Sequence, residues 1–478
     1  MEDSMDTGKK PKLGVVFFAA RWFDEVVLGN EEAARRFRGF MEEDTARVRE
    51  RLSSICRIVT CPLVTSMARA REAVKKLLSE DVDGVVFCFT VWSEDEYLLA
   101  FQDLIRIRPT VLWAYTPYKR APKKTDIMKL FRNSGIVATF EAFGVLRRAG
   151  LKCFHVTGSV LDEEPLHAIS AIARAAMVRS SLRETRLGIL PCRNEQMIVT
   201  YVDEFDLYAK AGPSVEYLSV YQLKKSSEAV STENLLHFIS WVKENCRIDG
   251  RIDDDNLQRS ARVSLGMERL MEERGIDGLA LSDLNPELHE VVGLRPCLYP
   301  ESLALSERVV GNEGDLGGTT AMVMLRRLTG LPVMFTEIFN YDRETNVVVA
   351  GHAGPANHLL ADDSCGITIT PDYELMDSPT GLSGVWMEFV CKPGRVTLVN
   401  FISVPEGFQF TVLGGESLGG PLRIEGYPHC VIRLDRGVED FIRSSAMHGV
   451  SHHWAIVHRD VRDEIMYLAE MLGCSCVT

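Results

Sequence analysis

The first 180 residues alternate between short, continuous apolar runs and longer stretches with helical spacing. The apolar runs lie at 13–20, 55–60, 84–90, 110–115 and 153–156. Because the strands of a parallel sheet are covered by helices on both faces, they are apolar throughout rather than at every second position. The pattern therefore predicts a doubly wound α/β domain at the start of the chain.

A second alternation of the same kind begins at Arg186. The apolar runs in this part predict strands at 187–190, 198–202, 215–220 and 277–281. The stretches with helical spacing predict helices at 232–245, 256–274 and 316–328. Gly330 and Pro332 then supply the glycine and proline that commonly end a helix. We therefore predict a second α/β domain.

After Pro332 the chain consists mainly of short apolar runs separated by glycine and proline. These runs lie at 333–335, 346–349, 366–370, 384–389, 395–401, 408–413 and 430–434. Regular short strands with turn signals predict an antiparallel barrel or sandwich, and a helix at 461–472 closes the chain. The 478 residues suit three domains of about 150 residues each. We place these domains at 1–182, 183–330 and 331–478.

The composition excludes several classes of protein. Apolar residues make up 46% of the chain, which is enough for several cores and excludes disorder as the main state. A net charge of −13 argues against a nucleic-acid partner, since phosphate binding needs a concentrated basic face. The first ten residues are polar, and no apolar run approaches the roughly 20 residues that span a bilayer. We therefore expect neither a signal peptide nor a membrane partner.

The twelve cysteines indicate the compartment. They are scattered, and no two of them form a Cys-x-x-Cys pair. Several lie inside apolar runs, where cysteine behaves as a small buried hydrophobic residue. Cys474 and Cys476 lie close together but lack further ligands for a metal. This usage is typical of a reducing cytoplasm.

Two carboxylates stand out as candidates for chemistry. Glu313 lies within the glycine-rich segment 311–318, and Asp315 can cap the helix that follows it. Glu337 lies in an apolar strand-like run, where a carboxylate is costly to bury unless it is paired or bound to a metal. Each residue alone also permits a structural reading, as a capped turn for Glu313 and as a solvent-facing strand position for Glu337.

Three histidines accompany these carboxylates. His352 follows an apolar run in a glycine-rich turn, and His452 and His453 are adjacent to one another. Neighbouring residues of an extended chain point to opposite sides, so one histidine of the pair can bind a metal while the other faces substrate. Two carboxylates with two or three imidazoles suit a divalent transition metal such as Mn²⁺.

The order of these motifs resembles that of the L-arabinose isomerase and L-fucose isomerase superfamily. In the arabinose enzymes the matching segments read Glu-Gly-Asp, Met-Glu-Asp, Ser-His and Ala-His-His. Here they are represented by Glu313, Glu337, His352 and His453 in the same order and at similar spacing. The segment 186–197 is also similar to the segment that opens the family's middle domain.

The resemblance implies an isomerase that interconverts an aldose and its ketose. Glu313, Glu337, His352 and His453 would be the metal ligands, and the two glutamates would also be the catalytic acid and base. The family implies Mn²⁺, with Co²⁺ and Mg²⁺ as alternatives. It also implies a homotrimer or homohexamer in which the first domain of a neighbour completes each active site.

Further residues are expected to contact the sugar. Trp92 lies where a predicted strand of the first domain ends, and ligands of open α/β sheets bind at that edge. Met197 ends the segment that resembles the family's middle domain. Together with His452, these residues are our predicted substrate contacts.

The chain also departs from its predicted relatives. The arabinose enzymes carry Gln-x-x-His-Gly-Gly-Arg-Glu-Phe near the end of the first domain, but the corresponding stretch 134–143 has neither the glutamine nor the histidine. The fucose enzymes have aspartate where this chain has Glu337. The sequence therefore predicts a divergent member and leaves the sugar open.

Three other functions are weighed against the isomerase. A sugar epimerase, or another enzyme that forms an enediolate, would use the same residues and is distinguished only by its product. A non-catalytic sugar-binding protein is disfavoured by the strand-rich third domain. A dinucleotide-dependent oxidoreductase is disfavoured because no Gly-x-Gly-x-x-Gly follows the first predicted strand.

Overall fold

A computed structural model of the protein describes residues 9–21, 23, 31–375 and 384–478. Residues 1–8, which carry most of the polar start of the chain, lie outside this described part. The chain divides into two compact units, Lys9–Ser180 and Ser181–Thr478. The further division of the second unit at residue 330 stays a prediction.

The first unit is built on a parallel sheet of five described strands. In chain order these are β1 (Lys12–Phe18), β2 (Arg57–Thr60), β3 (Gly84–Phe89), β4 (Thr110–Thr116) and β5 (Phe154–Ser159). They are arranged in the order β2–β1–β3–β4–β5. All six residues of β3 are buried, which explains its unbroken apolar run.

The helices of the first unit cover this sheet. They are α1 (Glu31–Ile55), α2 (Met67–Ser79), α3 (Gln102–Ile107), α4 (Ile127–Arg132), α5 (Gly135–Arg148) and α6 (Glu164–Leu182). The start of α2 is fixed by Ser66, whose side chain accepts a hydrogen bond from the backbone N–H of Arg69. Helix α6 leads into the second unit.

The second unit contains the remaining strands. They are β6 (Arg186–Leu190), β7 (Ser214–Tyr217), β8 (Cys246–Ile248), β9 (Gly278–Leu281), β10 (Val309–Gly311), β11 (Val333–Asp342), β12 (Val347–Gly351), β13 (Ile367–Pro371), β14 (Val385–Glu388), β15 (Gly394–Val404), β16 (Gly407–Ser417), β17 (His429–Leu434), β18 (His453–Val457) and β19 (Ser475–Val477).

The helices of the second unit continue the numbering. They are α7 (Glu204–Lys210), α8 (Val220–Glu228), α9 (Thr232–Asn245), α10 (Asp254–Arg274), α11 (Pro286–Val292), α12 (Glu301–Leu305), α13 (Leu316–Thr329), α14 (Val438–His448) and α15 (Arg462–Leu472).

A second parallel sheet contains four of these strands in the order β10–β9–β6–β7. The strand predicted at 198–202 is wrong, because Ile198–Thr200 forms a single 3₁₀ turn. Ile198 and Val199 are exposed there. Their apolar run therefore does not report burial in a sheet, which is the property that the strand prediction assumed.

Six strands near the end of the chain close into an antiparallel barrel. They follow the order β15–β18–β11–β12–β17–β16, and β15 pairs with β16 along its whole length to close the ring. Strand β19 adds to β16 in parallel, and β8, β13 and β14 form a separate small sheet. The predicted fold class, parallel α/β layers followed by a β-barrel, is confirmed.

Helix α13 joins the parallel sheet to the barrel. It follows β10 directly, and nearly all of its residues are buried. It packs against β9 and β10 on the sheet side and against β15 and β18 on the barrel side. The turn between β10 and α13 therefore lies where the two layers meet.

No helix in the described ranges is both long enough and apolar enough to span a membrane.

Candidate metal centre

The barrel register brings two of the predicted site residues together. Glu337 in β11 is paired directly with His453, the first residue of β18. On its other side Glu337 is paired with Gly351, the last residue of β12, and His352 follows immediately. The segments that carry Glu337, His352 and His453 therefore lie in one row across neighbouring strands, although the first and last of these residues are more than 100 residues apart in sequence.

Glu313 reaches this row from the turn between β10 and α13. Its backbone is in the left-handed region, with φ of 55°. For a residue other than glycine, such a conformation costs on the order of 1–3 kcal/mol and is retained where surrounding structure enforces it. Gly314 follows with φ of 64°, and a Cβ there would lie 2.8 Å from the backbone oxygen of Cys192.

The other glycines of the segment make room for protein rather than for a ligand. A Cβ on Gly318 would lie 2.6 Å from the ring of Phe335, and one on Gly317 would lie 2.5 Å from the backbone oxygen of Phe401. The glycine-rich sequence thus lets the start of α13 pack tightly against two barrel strands.

Four side chains converge at this junction. One ligand atom from each of Glu313, Glu337, His452 and His453 lies within 4.8 Å of all the others. His453 Nε2 is 3.1 Å from Glu313 Oε2 and 3.8 Å from Glu337 Oε1. His452 Nε2 is 3.5 Å from the same Glu337 oxygen.

The two adjacent histidines point to the same place, unlike neighbours in a strand. Their ring centroids are 3.9 Å apart. His453 is the first residue of β18, whereas His452 lies in the bend before it. The alternation of side chains applies only within extended strand, so it does not separate the pair.

His352 lies beside this group but outside it. Its ring centroid is 5.5 Å from that of His453, and Phe335 packs against both rings. Its Nδ1 is 2.6 Å from the backbone oxygen of Ala353. Its Nε2 is buried and has no hydrogen-bond partner in the described part of the chain. The ligand role predicted for His352 stays a prediction.

A further carboxylate, Asp315, orients His453. Asp315 Oδ2 is 2.8 Å from His453 Nδ1, while Asp315 Oδ1 accepts the backbone N–H of Gly318 as the cap of α13. A carboxylate that holds one ring nitrogen fixes the direction of the other, as is usual for metal-binding histidines.

The charges of the cluster shift its pKa values. Burial lowers the pKa of His453, but hydrogen bonds to Asp315 and Glu313 outweigh it and raise the pKa to about 9. Burial raises the pKa of Glu313, yet hydrogen bonds from His452 and His453 hold it well below its usual range. Both shifts have the same cause, the close approach of imidazole and carboxylate groups.

The donor set fits a divalent metal ion. Two carboxylate oxygens and two imidazole nitrogens suit a divalent transition metal. The unpartnered buried Nε2 of His352 is a polar atom for which the protein itself supplies no partner. The side chains of the group differ in exposure. That of His453 is fully buried, whereas those of Glu337 and His452 are 25% and 36% exposed.

The two other predicted substrate residues lie on different parts of the chain. Trp92 follows β3 in the first unit, and its Nε1 donates to the carboxylate of Glu141. Met197 belongs to the loop after β6, whose residues Cys192 and Asn194 pack against Gly314. Their contact with substrate stays a prediction.

Sequence reasoning missed the contacts of two aspartates. The sequence predicts Asp315 only as a helix cap. Asp283 accepts the backbone N–H of Glu313 at 3.0 Å, and no sequence pattern indicates this contact. The spacing of a pair 30 residues apart carries no signal of such a contact.

The fold and this site define an α/β protein with a closed barrel and a candidate metal centre at their junction. The curated proteins with similar sequences are named as isomerases. The sulfoquinovose isomerase of Alkalicoccus urumqiensis is 23% identical over 84% of this chain and 87% of its own length. That of Priestia aryabhattai is 22% identical over 89% and 92%. The L-arabinose isomerase of Nocardioides sp. is 23% identical over 88% and 85%.

The other two comparisons add no argument. No protein-family model matches the chain. Among solved structures, a periplasmic sugar-binding protein from Legionella pneumophila covers 67% of this chain at 11% identity, with a TM-score of 0.15, from which no relationship follows. The similarity to the isomerases extends over most of the chain, at low identity. It fits a divergent member of the L-arabinose isomerase-like superfamily.

Proposed function

We propose that this protein is a metal-dependent isomerase that interconverts an aldose and its ketose through a cis-enediol. The observation that carries the proposal is the meeting of Glu313, Glu337, His452 and His453 at the end of the barrel strands. The similarity to isomerases over most of the chain supports the same reaction.

The two glutamates divide the work of the proposed reaction. Isomerisation needs a group that takes a proton from one carbon of an open-chain sugar and returns it to the next. Glu337 is the more exposed of the two, so we assign it the transferred proton. Glu313 is nearly buried and held by His453, which suits a carboxylate that stays charged.

The imidazoles and Glu313 would hold the metal together with Glu337. We propose Mn²⁺ as this ion, and His352 as an additional ligand through its unpartnered Nε2. When bound, a divalent cation supplies positive charge that stabilises an enediolate. His452, the most exposed of the four, would also face the sugar.

A cavity in the first unit supports a sugar contact at Trp92. A cavity of about 520 Å³ at the carboxyl end of β3 is lined by Trp92, Glu94, Ser134 and apolar side chains. An aromatic face beside a carboxylate and a hydroxyl matches the mixed apolar and polar surface of a sugar. We propose that this edge serves the active site of a neighbouring subunit in a homotrimer or homohexamer.

Exposed apolar residues next to the candidate metal centre support an oligomer. Four large apolar side chains that follow the loop packed on Gly314 in the sequence are exposed: Ile198, Val199, Phe205 and Tyr208. Ile198 and Phe205 are 74% and 78% exposed. Clusters of large exposed apolar side chains mark interaction sites. We propose that these four side chains form one surface, called the 198–208 surface below, and that it contacts a second copy of the chain.

The free cysteines support a reducing compartment. All twelve are unpaired, and several of them are fully buried. We therefore propose that the protein acts in the cytoplasm.

The test is conversion of an aldose to its ketose in deuterium oxide. The purified protein is first analysed for bound metal, then incubated with Mn²⁺ and a panel that includes L-arabinose and sulfoquinovose. We expect the ketose product with solvent deuterium at C1 and, through the reverse reaction, recovered aldose with deuterium at C2. An epimer as product would replace the isomerase by an epimerase. If no member of the panel reacts although metal is bound, the proposed reaction is wrong.

A further inference from the structure

The turn that carries Glu313 is tied to the end of strand β9 by two hydrogen bonds. The backbone N–H of Gly314 donates to the oxygen of Leu281, and the backbone N–H of Glu313 donates to Asp283 Oδ1 at 3.0 Å. Both donors belong to residues with positive φ. Leu281 ends β9 and Asp283 lies two residues beyond it, so the left-handed turn is held against the parallel sheet.

Asp283 is a buried residue whose contacts are with this turn and with the interior of the protein. Its side chain is 1% exposed. While Oδ1 accepts from Glu313, Oδ2 lies 3.2 Å from Nη1 of Arg295. The carboxylate therefore joins a backbone donor of the candidate metal centre to a buried guanidinium.

Arg295 is in turn held from the other side. Its side chain is fully buried, which is costly for a charge without partners. Nε and Nη2 donate to the two oxygens of Asp372 at 2.7 Å each, and Nη2 also donates to Glu374. The ring of Trp386 lies 4.9 Å from the guanidinium carbon. These contacts fix the position of the planar Arg295 guanidinium, so Asp283 has a partner that does not move.

We propose that Asp283, locked by Arg295, is a positioning residue that holds Glu313 in its left-handed conformation, so that the Glu313 carboxylate meets His453 without reorganisation. This inference rests on the proposed function for the role of Glu313. Its structural content, the holding of the 312–316 turn, is independent of the reaction. Asp283 touches neither substrate nor metal in this scheme and acts only through the backbone of Glu313.

The test compares three variants of the full-length protein. Asp283→Ala removes the acceptor for the Glu313 N–H. Asp283→Asn keeps an oxygen acceptor at the same position. Asp44→Ala is the matched control, because Asp44 is also 1% exposed and held by an arginine, Arg132, and its described contacts do not reach residues 311–315 or Arg295. If Asp283→Ala does not fold, Asp283→Leu makes the same comparison with the side-chain volume retained.

The first readout needs neither metal nor sugar. Deuterium exchange of the peptide that covers 311–318 is measured by mass spectrometry on the metal-free protein. We expect faster exchange in Asp283→Ala than in Asp44→Ala, and exchange close to wild type in Asp283→Asn. The second readout is the Kd for Mn²⁺, which we expect to rise about 10–100-fold in Asp283→Ala, as for other residues that orient ligands.

The outcomes separate the two proposals. If Asp283→Ala exchanges and binds Mn²⁺ like Asp44→Ala, Asp283 has only a structural role and the inference is overturned. It is equally overturned if Asp283→Asn is as impaired as Asp283→Ala, since the acceptor oxygen would then not matter. If exchange and metal affinity respond as expected while the wild type isomerises no aldose, the positioning role stands and the proposed function fails.

Discussion

At the scale of single residues, Glu313 and Glu337 have the same chemistry in different surroundings. Glu313 is enclosed by the two histidines and tied down through its backbone. Glu337 lies in a strand and keeps a quarter of its side chain exposed. Solvent access therefore distinguishes them, and substitution of Glu337 is the sharper test of the proposed proton transfer.

Glu337→Gln should abolish most turnover with the fold retained. Glutamine keeps the size and one oxygen of glutamate but cannot carry a proton. We expect the rate of aldose–ketose conversion to fall about 10²–10⁴-fold. Glu344→Gln is the matched control, since Glu344 is exposed between β11 and β12. This variant should convert the aldose at the wild-type rate. A Glu337→Gln variant that is as active as the control would rule out Glu337 as the proton carrier.

A second residue-scale property is the response of stability to acid. His358 is buried against Trp241, with ring centroids 4.5 Å apart. Burial lowers its pKa to about 4, although a hydrogen bond to the backbone of Tyr299 opposes the shift. Between pH 6.5 and 4 the unfolded chain therefore binds a proton at this residue that the folded chain does not. Stability should fall as the pH decreases through this window and be independent of this group above it.

His358→Phe should flatten this dependence. Phenylalanine keeps the ring contact with Trp241 and has no proton to bind. We expect the midpoint of thermal unfolding to fall less steeply between pH 6.5 and 4 in the variant than in the wild type. His448→Phe, at an exposed histidine of α14, is the control and should keep the wild-type slope. If the unfolding midpoint of His358→Phe fell with pH as steeply as that of the wild type, the lowered pKa of His358 would be contradicted.

At the scale of elements, the start of helix α13 is the part on which the site depends most. The helix begins at the junction of the sheet and the barrel, and its cap residue Asp315 also holds His453. One side chain thus links the position of a helix to the orientation of an imidazole. This explains why an acidic residue stands here rather than serine or threonine, which cap helices equally well but lack the second oxygen.

Asp315→Asn should weaken metal binding while the helix remains capped. Asparagine still accepts the N–H of Gly318, but its amide donates to Nδ1 of His453 and so leaves the proton on Nε2, the atom that faces the glutamates. We expect the Kd for Mn²⁺ to rise about 10–100-fold. The control is Asp253→Asn, the same change at the cap of α10. Equal Kd values in the two variants would show that Asp315 is only a cap.

At the scale of the whole molecule, the 198–208 surface links the proposed assembly to the site. The 198–208 surface follows directly on the loop that packs beside Glu313. An oligomer that used this surface would bring another subunit close to the site. Activity and assembly would then be lost together.

Phe205→Glu should break this contact. A charge at a residue that is 78% exposed costs little in the isolated subunit but is unfavourable inside an apolar interface. We expect a smaller species by light scattering and loss of most activity. Met447→Glu, at an exposed methionine of α14, is the control and should keep the wild-type mass. An unchanged mass for Phe205→Glu would exclude this surface as the interface.

Local chemistry was sufficient for much of the fold. Continuous apolar runs identified β1, β3 and β4, because a strand covered on both faces has no position for a polar side chain. Short runs between turn residues identified the barrel strands in the same way. The exception at 198–202 has a clear cause, since apolar residues at an exposed surface look the same in sequence as those in a core.

The site itself required the tertiary structure. The order of motifs identified Glu313, Glu337 and His453 as candidates, but their approach depends on the pairing of β11 with β18 and on the packing of α13. That His452 joins them follows from its place just outside a strand. The contacts of Asp315 and Asp283 connect segments far apart in sequence. Periodicity reports which face of an element is buried, whereas the partner it meets is decided only when distant elements pack.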